Sequence, residues 1–528
     1  MFCRHSAGLL GVWITILFVS LCTRYYLPID ETRYVTVAWN MWLRGDFLVP
    51  FLNGQPYSHK PPLLFWMMQL GWAVFGVNDW WPRFVPSIFA LGGIFLTIRV
   101  ARMLWPSNEA IPRIASVILF GSLLWTVFST AVMFDMLIAF FTLLGILGIL
   151  IAVRGDEIKG WALTGLAIGL GLLAKGPTIL LQILPVAMLA PWWAKDNRIV
   201  LHRWCKGIIA AVLLGAAITL LWAIPAGIRG GAVYQHEIFW GQTADRMVNS
   251  FAHKRPFWWY LALMPAMLFP WLLWGGALKG LAQLRFSLND QGVRFCLSWA
   301  LPVFLAFSLI SGKQAHYLLP IFPAFSLLVA HGLTTLKAAP GRLSRIGIGL
   351  VLFAIAIALL ALPYLHKHIS IAEWFIHVPA MTGYFLLICS GAFLLWKPMA
   401  IEREVWLIAT ASLVMMFILH FAIIRTSGIA YDIRPISAKI KGLQDAGIPL
   451  ANNGKYHGQY QFAGRLQHPI DEVKNETYAA WFNDHPAGLI IIYMNSEAKI
   501  PKSDAEFIQP YLEGYVGIYS RQALLTAR

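Results

Sequence analysis

Charge is what this chain lacks most. Only 12% of its 528 residues are Asp, Glu, Lys or Arg, about half the ~25% of an ordinary soluble protein. Hydrophobic residues make up 58%, and the mean hydropathy is +0.64. Together these exclude a soluble multidomain protein, and apolar runs near the ~20 residues that cross a bilayer recur along the chain. Cysteine is scarce as well. Cys3, Cys22, Cys205, Cys296 and Cys389 show no CxxC spacing and sit mostly in or beside apolar runs, so they read as small hydrophobes, not as a disulfide frame or zinc knuckle. Nucleotide motifs are missing: there is no Walker lysine loop, no GxGxxG after a strand and no HExxH. An ATP-driven pump and a dinucleotide enzyme are therefore not expected.

Acids are outnumbered by bases, giving a formal charge of +16. The excess lies in short loops between apolar runs, which is the signature of cytoplasmic loops beside anionic lipid and not of a nucleic-acid partner. About thirteen spans are expected, at 8–23, 83–101, 114–131, 135–153, 161–175, 178–194, 208–225, 258–276, 295–311, 317–336, 346–365, 379–396 and 404–424. The first follows Arg4 and resembles a signal peptide, but no small-x-small cleavage site follows, so it reads as a retained helix. Loops after even-numbered spans carry the bases: Arg102 with Arg113, Arg154 with Lys159, Lys195 to Lys206, Lys279 to Arg294, Lys337 to Arg345, and Lys397 with Arg403. The positive-inside rule puts that side in the cytoplasm. The outer loop 24–82, Asp135, Lys175, the outer loop 226–257, the turn Lys313–His316 and everything after residue 424 then face outward. Leu63–Val77 is too short to span and reads as an interfacial helix. Charge returns after residue 424, so 425–528 reads as a small soluble α/β domain.

Ionisable residues where hydrocarbon meets water are costly and mark function. Asp30 and Glu31 stand just after the first span. One of them could cap the helix that follows, and Asp30 is the candidate for chemistry. Asp135 sits in STAVMFDMLIAFF, where an isolated carboxylate needs a partner. Lys60 in HKPP, Lys175 in LLAKGP, Arg246, Glu237, His253 and Lys254 in the second outer loop, and His316 with Tyr317 in KQAHY gather on the same expected face. Cations clustered there run against the charge rule, and anion binding is the function that suits them.

PIDETRY at 28–34, RGDFLVPFLNGQPYSHKPPLLFW at 44–66 and FGVNDWWPRFVPS at 75–87 resemble the membrane glycosyltransferases of the GT-C class. Among these, the likeness is to the lipid A aminoarabinose transferases and the protein mannosyltransferase-like families. AVMFDM, LLAKGP, DRMVNSFAHKRPFWWY and KQAHYLLPIFPA follow in the same order, over roughly residues 8–425. The resemblance implies a GT-C fold, mainly α, with a small periplasmic C-terminal α/β domain. It also implies a multi-pass inner-membrane enzyme, expected to be a monomer, working on the periplasmic side. Its donor would be undecaprenyl phosphate carrying one amino sugar, and its acceptor lipid A. Asp30 and Asp135 match the family's acids, with Arg33 beside the first and Glu31 in the same pocket. Lys60, Lys175 and Arg246 match its bases around the donor phosphate. Close members have Glu where this chain has His59. If that position holds a divalent metal, imidazole could replace carboxylate, with His420 a conceivable partner.

Such a reaction suits these residues. Displacing undecaprenyl phosphate develops charge that Lys and Arg stabilise, and an acid can orient or deprotonate the acceptor. Single displacement with inversion and no nucleotide is expected. The same donor chemistry with another sugar and acceptor (core oligosaccharide, O-antigen or protein) and a lipid-linked sugar flippase are the alternatives.

Overall fold

The computed structural model describes residues 2–195, 199–245, 254–365, 373–396, 400–494 and 502–525. Among these, nine helices are long and apolar enough to cross a membrane, and a tenth span is the bent pair Ala110–Phe120 and Leu123–Thr130, which turn 63° at Gly121–Ser122. This is a multi-pass membrane protein. Ten of the thirteen expected runs are accounted for in this way. Two more, Thr178–Met188 and Ala380–Leu395, are shorter apolar helices. The run at 258–276 is not one helix. It divides into Trp259–Met267, a 3-10 turn at Trp271–Leu273 and Gly275–Gln283, because Pro265 and Pro270 remove backbone donors and Gly275–Gly276 add none of the stiffness that could compensate.

Most of the elements that build the site come from the first third of the chain. They are α1 (Phe2–Thr23), α2 (Asp30–Arg44), α3 (Leu63–Phe75), α4 (Trp81–Leu104), α5 (Ala110–Phe120), α6 (Leu123–Thr130), α7 (Asp135–Val153) and α8 (Glu157–Lys175). Helix α7 is apolar all round and most of it is buried, as expected of a helix at the centre of a bundle. It packs antiparallel to α8, so the first residue of one meets the last residue of the other. Helix α3 has only 13 residues, with Leu64, Phe65 and Met68 buried, and is too short to span.

At the opposite end of the bundle the expected cytoplasmic loops meet one another. Arg113 pairs with Glu402 at 2.7 Å, and Arg154 donates to the Met103 carbonyl. Arg345 and Glu404 form a wholly buried ion pair at 2.6 Å, and Arg345 also donates to the Phe393 and Trp396 carbonyls at 3.1 and 3.0 Å. Removing one partner of such a pair strands a buried charge at a cost of about 3–5 kcal/mol, whereas an apolar pair of similar volume is often neutral. Arg345→Ala should therefore lower the melting temperature of the solubilised protein strongly, and Arg345→Met with Glu404→Leu should restore most of it.

Beyond the last long helix the chain forms a five-stranded sheet of β3 (Leu450–Asn453), β4 (Asp471–Val473), β5 (Leu489–Met494), β6 (Phe507–Tyr511) and β7 (Gly514–Tyr519), in the order β4-β3-β5-β7-β6. (The other two strands, β1 at Phe51–Leu52 and β2 at Gln55–Pro56, make a hairpin in the first outer loop.) Strand β5 reads LIIIYM without alternation because both of its faces are covered. Ile491 packs with Ile436 and Ile440 on one side, and Ile490 and Ile492 pack with Trp481 and Phe482 on the other.

This sheet region is bound to the first outer loop. Thr36 Oγ1 donates to the Gly458 carbonyl at 2.7 Å, Trp39 Nε1 to the Leu466 carbonyl at 3.0 Å, and Asn40 Nδ2 to Gln461 Oε1 at 3.0 Å. In the β1–β2 turn, Asn53 accepts from the Ile470 amide and donates to its carbonyl, both at 2.8 Å. Phe462 stacks on Trp72 with centroids 5.2 Å apart and planes 14° off parallel. Gly458 has φ +74°, and an added Cβ there would lie 2.6 Å from Leu52 and 2.9 Å from Thr36, so no larger residue fits. Gly458→Val should separate the two regions, seen as faster proteolytic release of the C-terminal segment than in the wild type.

Candidate active site

Helix α2 starts at Asp30, and its first turn carries both acids. Neither caps the helix through its side chain, since Ile29 occupies that position and no side-chain cap bond forms. Expecting capping for one of them was wrong, and the reason is that each carboxylate has a stronger cationic partner. Glu31 is buried and pairs with Arg24. It also accepts from the Leu27 amide at 2.9 Å and the Val132 amide at 2.6 Å. Arg24 in turn donates to the Thr130 carbonyl at 2.9 Å. Glu31 thus ties the end of α1 to the bend at 131–134 that presents Asp135. It is a positioning residue, saturated by partners. Asp30, one position earlier, is half exposed and pairs with Arg33.

Asp135 opens α7 and is 1% exposed. A helix N-terminus stabilises a carboxylate there, and Lys175 at the end of α8 binds it at 2.5 Å. Gly176 (φ 74°, ψ −158°) adopts backbone angles closed to other residues and turns the chain away, leaving the ammonium at the tip of α8. His316 Nε2 lies 3.9 Å from the same carboxylate oxygen. Its ring rests 4.9 Å from Tyr317 and 5.0 Å from Phe128. The Lys175 ammonium sits 4.7 Å above the Tyr317 ring, a cation–π contact. Lys60 stands 5.7 Å from the Phe134 ring, within Coulombic reach of Asp135 and His316. Asp30 is also within reach of His316. Parts of the chain far apart in sequence thus converge on one end of the bundle: Asp30 and Arg33, Lys60, Asp135, Lys175, and His316 with Tyr317.

Aromatic side chains form the floor. Phe134 lies edge-on to Tyr34 at 5.0 Å and to Phe65 at 5.7 Å, and the Arg33 guanidinium is 5.5 Å from the Tyr34 ring. Burial, with the nearby Asp30 carboxylate, raises the Tyr34 hydroxyl well above its usual range, so it stays protonated. Tyr57 places its ring 5.2 Å from His59. The RGD turn below is anchored by Asp46, which accepts from the Leu48 and Val49 amides at 3.0 and 3.3 Å and from Arg229 at 2.9 Å. Burial would raise the Asp46 pKa, but these donors outweigh it and hold the carboxyl below its ordinary value.

Of the second outer loop, Arg246 and His253 lie outside the described residues. Glu237 is half-buried where the long helix Leu201–His236 runs on into a wider turn, and Lys254 pairs its backbone with Gly312 beside the buried Lys313. His420 bonds Thr23 Oγ1 through Nδ1 at 2.9 Å, between the first and last long helices. Among the described residues no three His, Cys, Asp or Glu side chains gather as metal ligands.

Tyr34, Tyr57 and two residues of the C-terminal region, Lys455 and His457, were not anticipated. His457 is within Coulombic reach of Arg33 and Asp30. Tyr34 stands next to Arg33 in the same motif and could have been found there. Nothing local distinguishes Lys455 or His457 in NNGKYHGQY.

Residues 59–222 match the family model for dolichyl-phosphate-mannose-protein mannosyltransferase. An undecaprenyl phosphate-alpha-4-amino-4-deoxy-L-arabinose arabinosyl transferase from Pectobacterium carotovorum is 30% identical over 383 residues, which cover 69% of this chain and 67% of that protein. A second, from Pseudomonas fluorescens, is 30% identical over 348 residues, covering 63% of this chain and 60% of its own length. The match thus spans about three-fifths of that relative. The crystal structure of ArnT from Cupriavidus metallidurans bound to undecaprenyl phosphate superposes with a TM-score of 0.71 over 98% of both chains at 19% identity, which establishes a common fold.

Proposed function

This chain belongs to the family of undecaprenyl phosphate-alpha-4-amino-4-deoxy-L-arabinose arabinosyl transferases, and from that premise we propose that it transfers an amino sugar from undecaprenyl phosphate to lipid A. The observation that carries the reading is the buried Asp135 ringed by Lys175, Lys60 and His316, one step from the half-exposed Asp30. Lys60, Lys175, His316 and Tyr317 receive the donor phosphate. Asp135 holds Lys175 and is within Coulombic reach of Lys60 without neutralising both, so a net positive field remains for the leaving group.

Asp30, held by Arg33, orients the acceptor oxygen on the opposite face of the sugar. The anomeric C–O bond to undecaprenyl phosphate breaks as the acceptor oxygen bonds to that carbon, inverting it, and the released phosphate keeps the bonding electrons. A lipid A phosphate is already ionised, so orientation and not proton removal is the main task of Asp30. Residues 1–424 form the transferase body in the inner membrane, with the site at its periplasmic end. Residues 425–528 form a periplasmic domain seated on the first outer loop.

The mannosyltransferase match over 59–222 favours one second reading, the same donor chemistry with another sugar and acceptor. Purified protein in nanodiscs, given undecaprenyl-phosphate aminoarabinose and lipid A, should yield lipid A heavier by one aminoarabinose. No product with lipid A, but product with a glycan or peptide acceptor, would select the second reading.

A further inference from the structure

We propose that Lys455 and His457, standing beside Arg33, form a subsite for a phosphate group of the acceptor, so that the C-terminal domain supplies one wall of the acceptor pocket. The inference rests on the transferase reading above and adds to it where the acceptor is held.

Geometry comes first. Thr36 lies three residues after Arg33 on α2, hence on the same face and one turn along. Its hydroxyl donates to the Gly458 carbonyl at 2.7 Å and accepts from the Phe462 amide at 3.3 Å. Asn40, the next position on that face, bonds Gln461 at 3.0 Å, and Gln461 Nε2 reaches Asn53 Oδ1 at 3.0 Å. The segment 454–462 is therefore clamped along α2, and the residues just before Gly458 are carried towards Arg33 and Asp30. Lys455 is exposed and His457 half-buried, so both remain open to an arriving head group.

Charge points the same way. Arg33 and Lys455 both act on His457, opposed by Asp30 and by Glu472 on β4. Those acids are already engaged: Asp30 by Arg33, and Glu472 by the Tyr456 amide at 3.1 Å. Arg33 also has a buried Nε with no hydrogen-bond partner among the described residues. Burial, with Arg33 and Lys455 nearby, lowers the imidazole pKa of His457, so at neutral pH it is an uncharged donor. A planar guanidinium, an ammonium and an imidazole N–H brought together match a phosphate dianion, whose oxygens take several charge-assisted bonds at once. The donor phosphate has its own cations, Lys60 and Lys175, which act on Asp135 and His316. The group that reaches 455–457 from the aqueous side therefore belongs to the acceptor.

The test uses full-length protein in detergent without donor, and native mass spectrometry to compare binding of bisphosphorylated lipid A, dephosphorylated lipid A and phosphatidylglycerol. The wild type should prefer the phosphorylated acceptor by roughly tenfold, the scale of a charge-assisted contact. Lys455→Ala with His457→Ala should abolish that preference without changing the affinity for the dephosphorylated lipid, and Lys455→Arg should retain it. Equal binding of both acceptors by the wild type would overturn the subsite, as would a preference that survives the double substitution. Displacement of lipid A by equimolar phosphatidylglycerol would assign these residues to the lipid surface and overturn the acceptor role. If the preference is present but no sugar is transferred, the transferase reading fails and the phosphate subsite stands.

Discussion

Asp135→Ala should abolish sugar transfer, by about 1000-fold or more, and should also destabilise the protein. The stability loss follows from leaving the Lys175 ammonium, 12% exposed, facing His316 and Lys60 without the carboxylate it binds at 2.5 Å. Stranding one member of a buried pair costs about 3–5 kcal/mol. The activity loss follows from releasing Lys175 from the position that meets the donor phosphate, where removing a single preorganised donor already costs about 100- to 1000-fold. One double variant separates the two effects. Asp135→Asn with Lys175→Met removes both charges and should recover much of the melting temperature lost in Asp135→Ala. Transfer should stay abolished, because the Lys175 ammonium is missing from the leaving group. If transfer returned with stability, the pair would be structural only.

The second large effect distinguishes two neighbouring acids. Asp30→Asn should lower kcat by about 100-fold or more, the scale of a positioned acid or base, and should leave the melting temperature nearly unchanged. Its carboxylate is half exposed, and among the described residues its ion pair is the local one with Arg33. Glu31→Gln should do the opposite, lowering stability first. Its carboxylate is nine-tenths or more buried and holds Arg24, the Leu27 amide and the Val132 amide together. An amide cannot accept from all three and leaves Arg24 uncompensated. Transfer assays beside thermal melts of the two variants will show whether the roles divide in this way. Full activity in Asp30→Asn would remove that residue from the mechanism.

Much of the site could be read from the chain because the membrane makes polar residues expensive. Asp30, Asp135, Lys60, Lys175 and His316 stood out only because their surroundings are apolar. The alternation of basic loops placed them on one side, and the structure brings them together at one end of the bundle. The rule that exposed them fails in water. Lys455 and His457 lie beyond the last long apolar helix, where charge is ordinary, so nothing marked them before the β3–β4 segment was seen clamped on α2 by Thr36 and Asn40.

The sequence by itself determined the class of solvent, the number of long spans to within a few and the family. Each of these depends on composition and order along the chain, which hydrophobic periodicity and short motifs report directly. Tertiary structure alone decided which acid is structural and which is open. Asp30 and Glu31 are adjacent and chemically alike, and a helix turns successive residues about 100° apart. That rotation sends Glu31 inward to Arg24 and Val132 and leaves Asp30 at the water, beside a domain that begins some four hundred residues later.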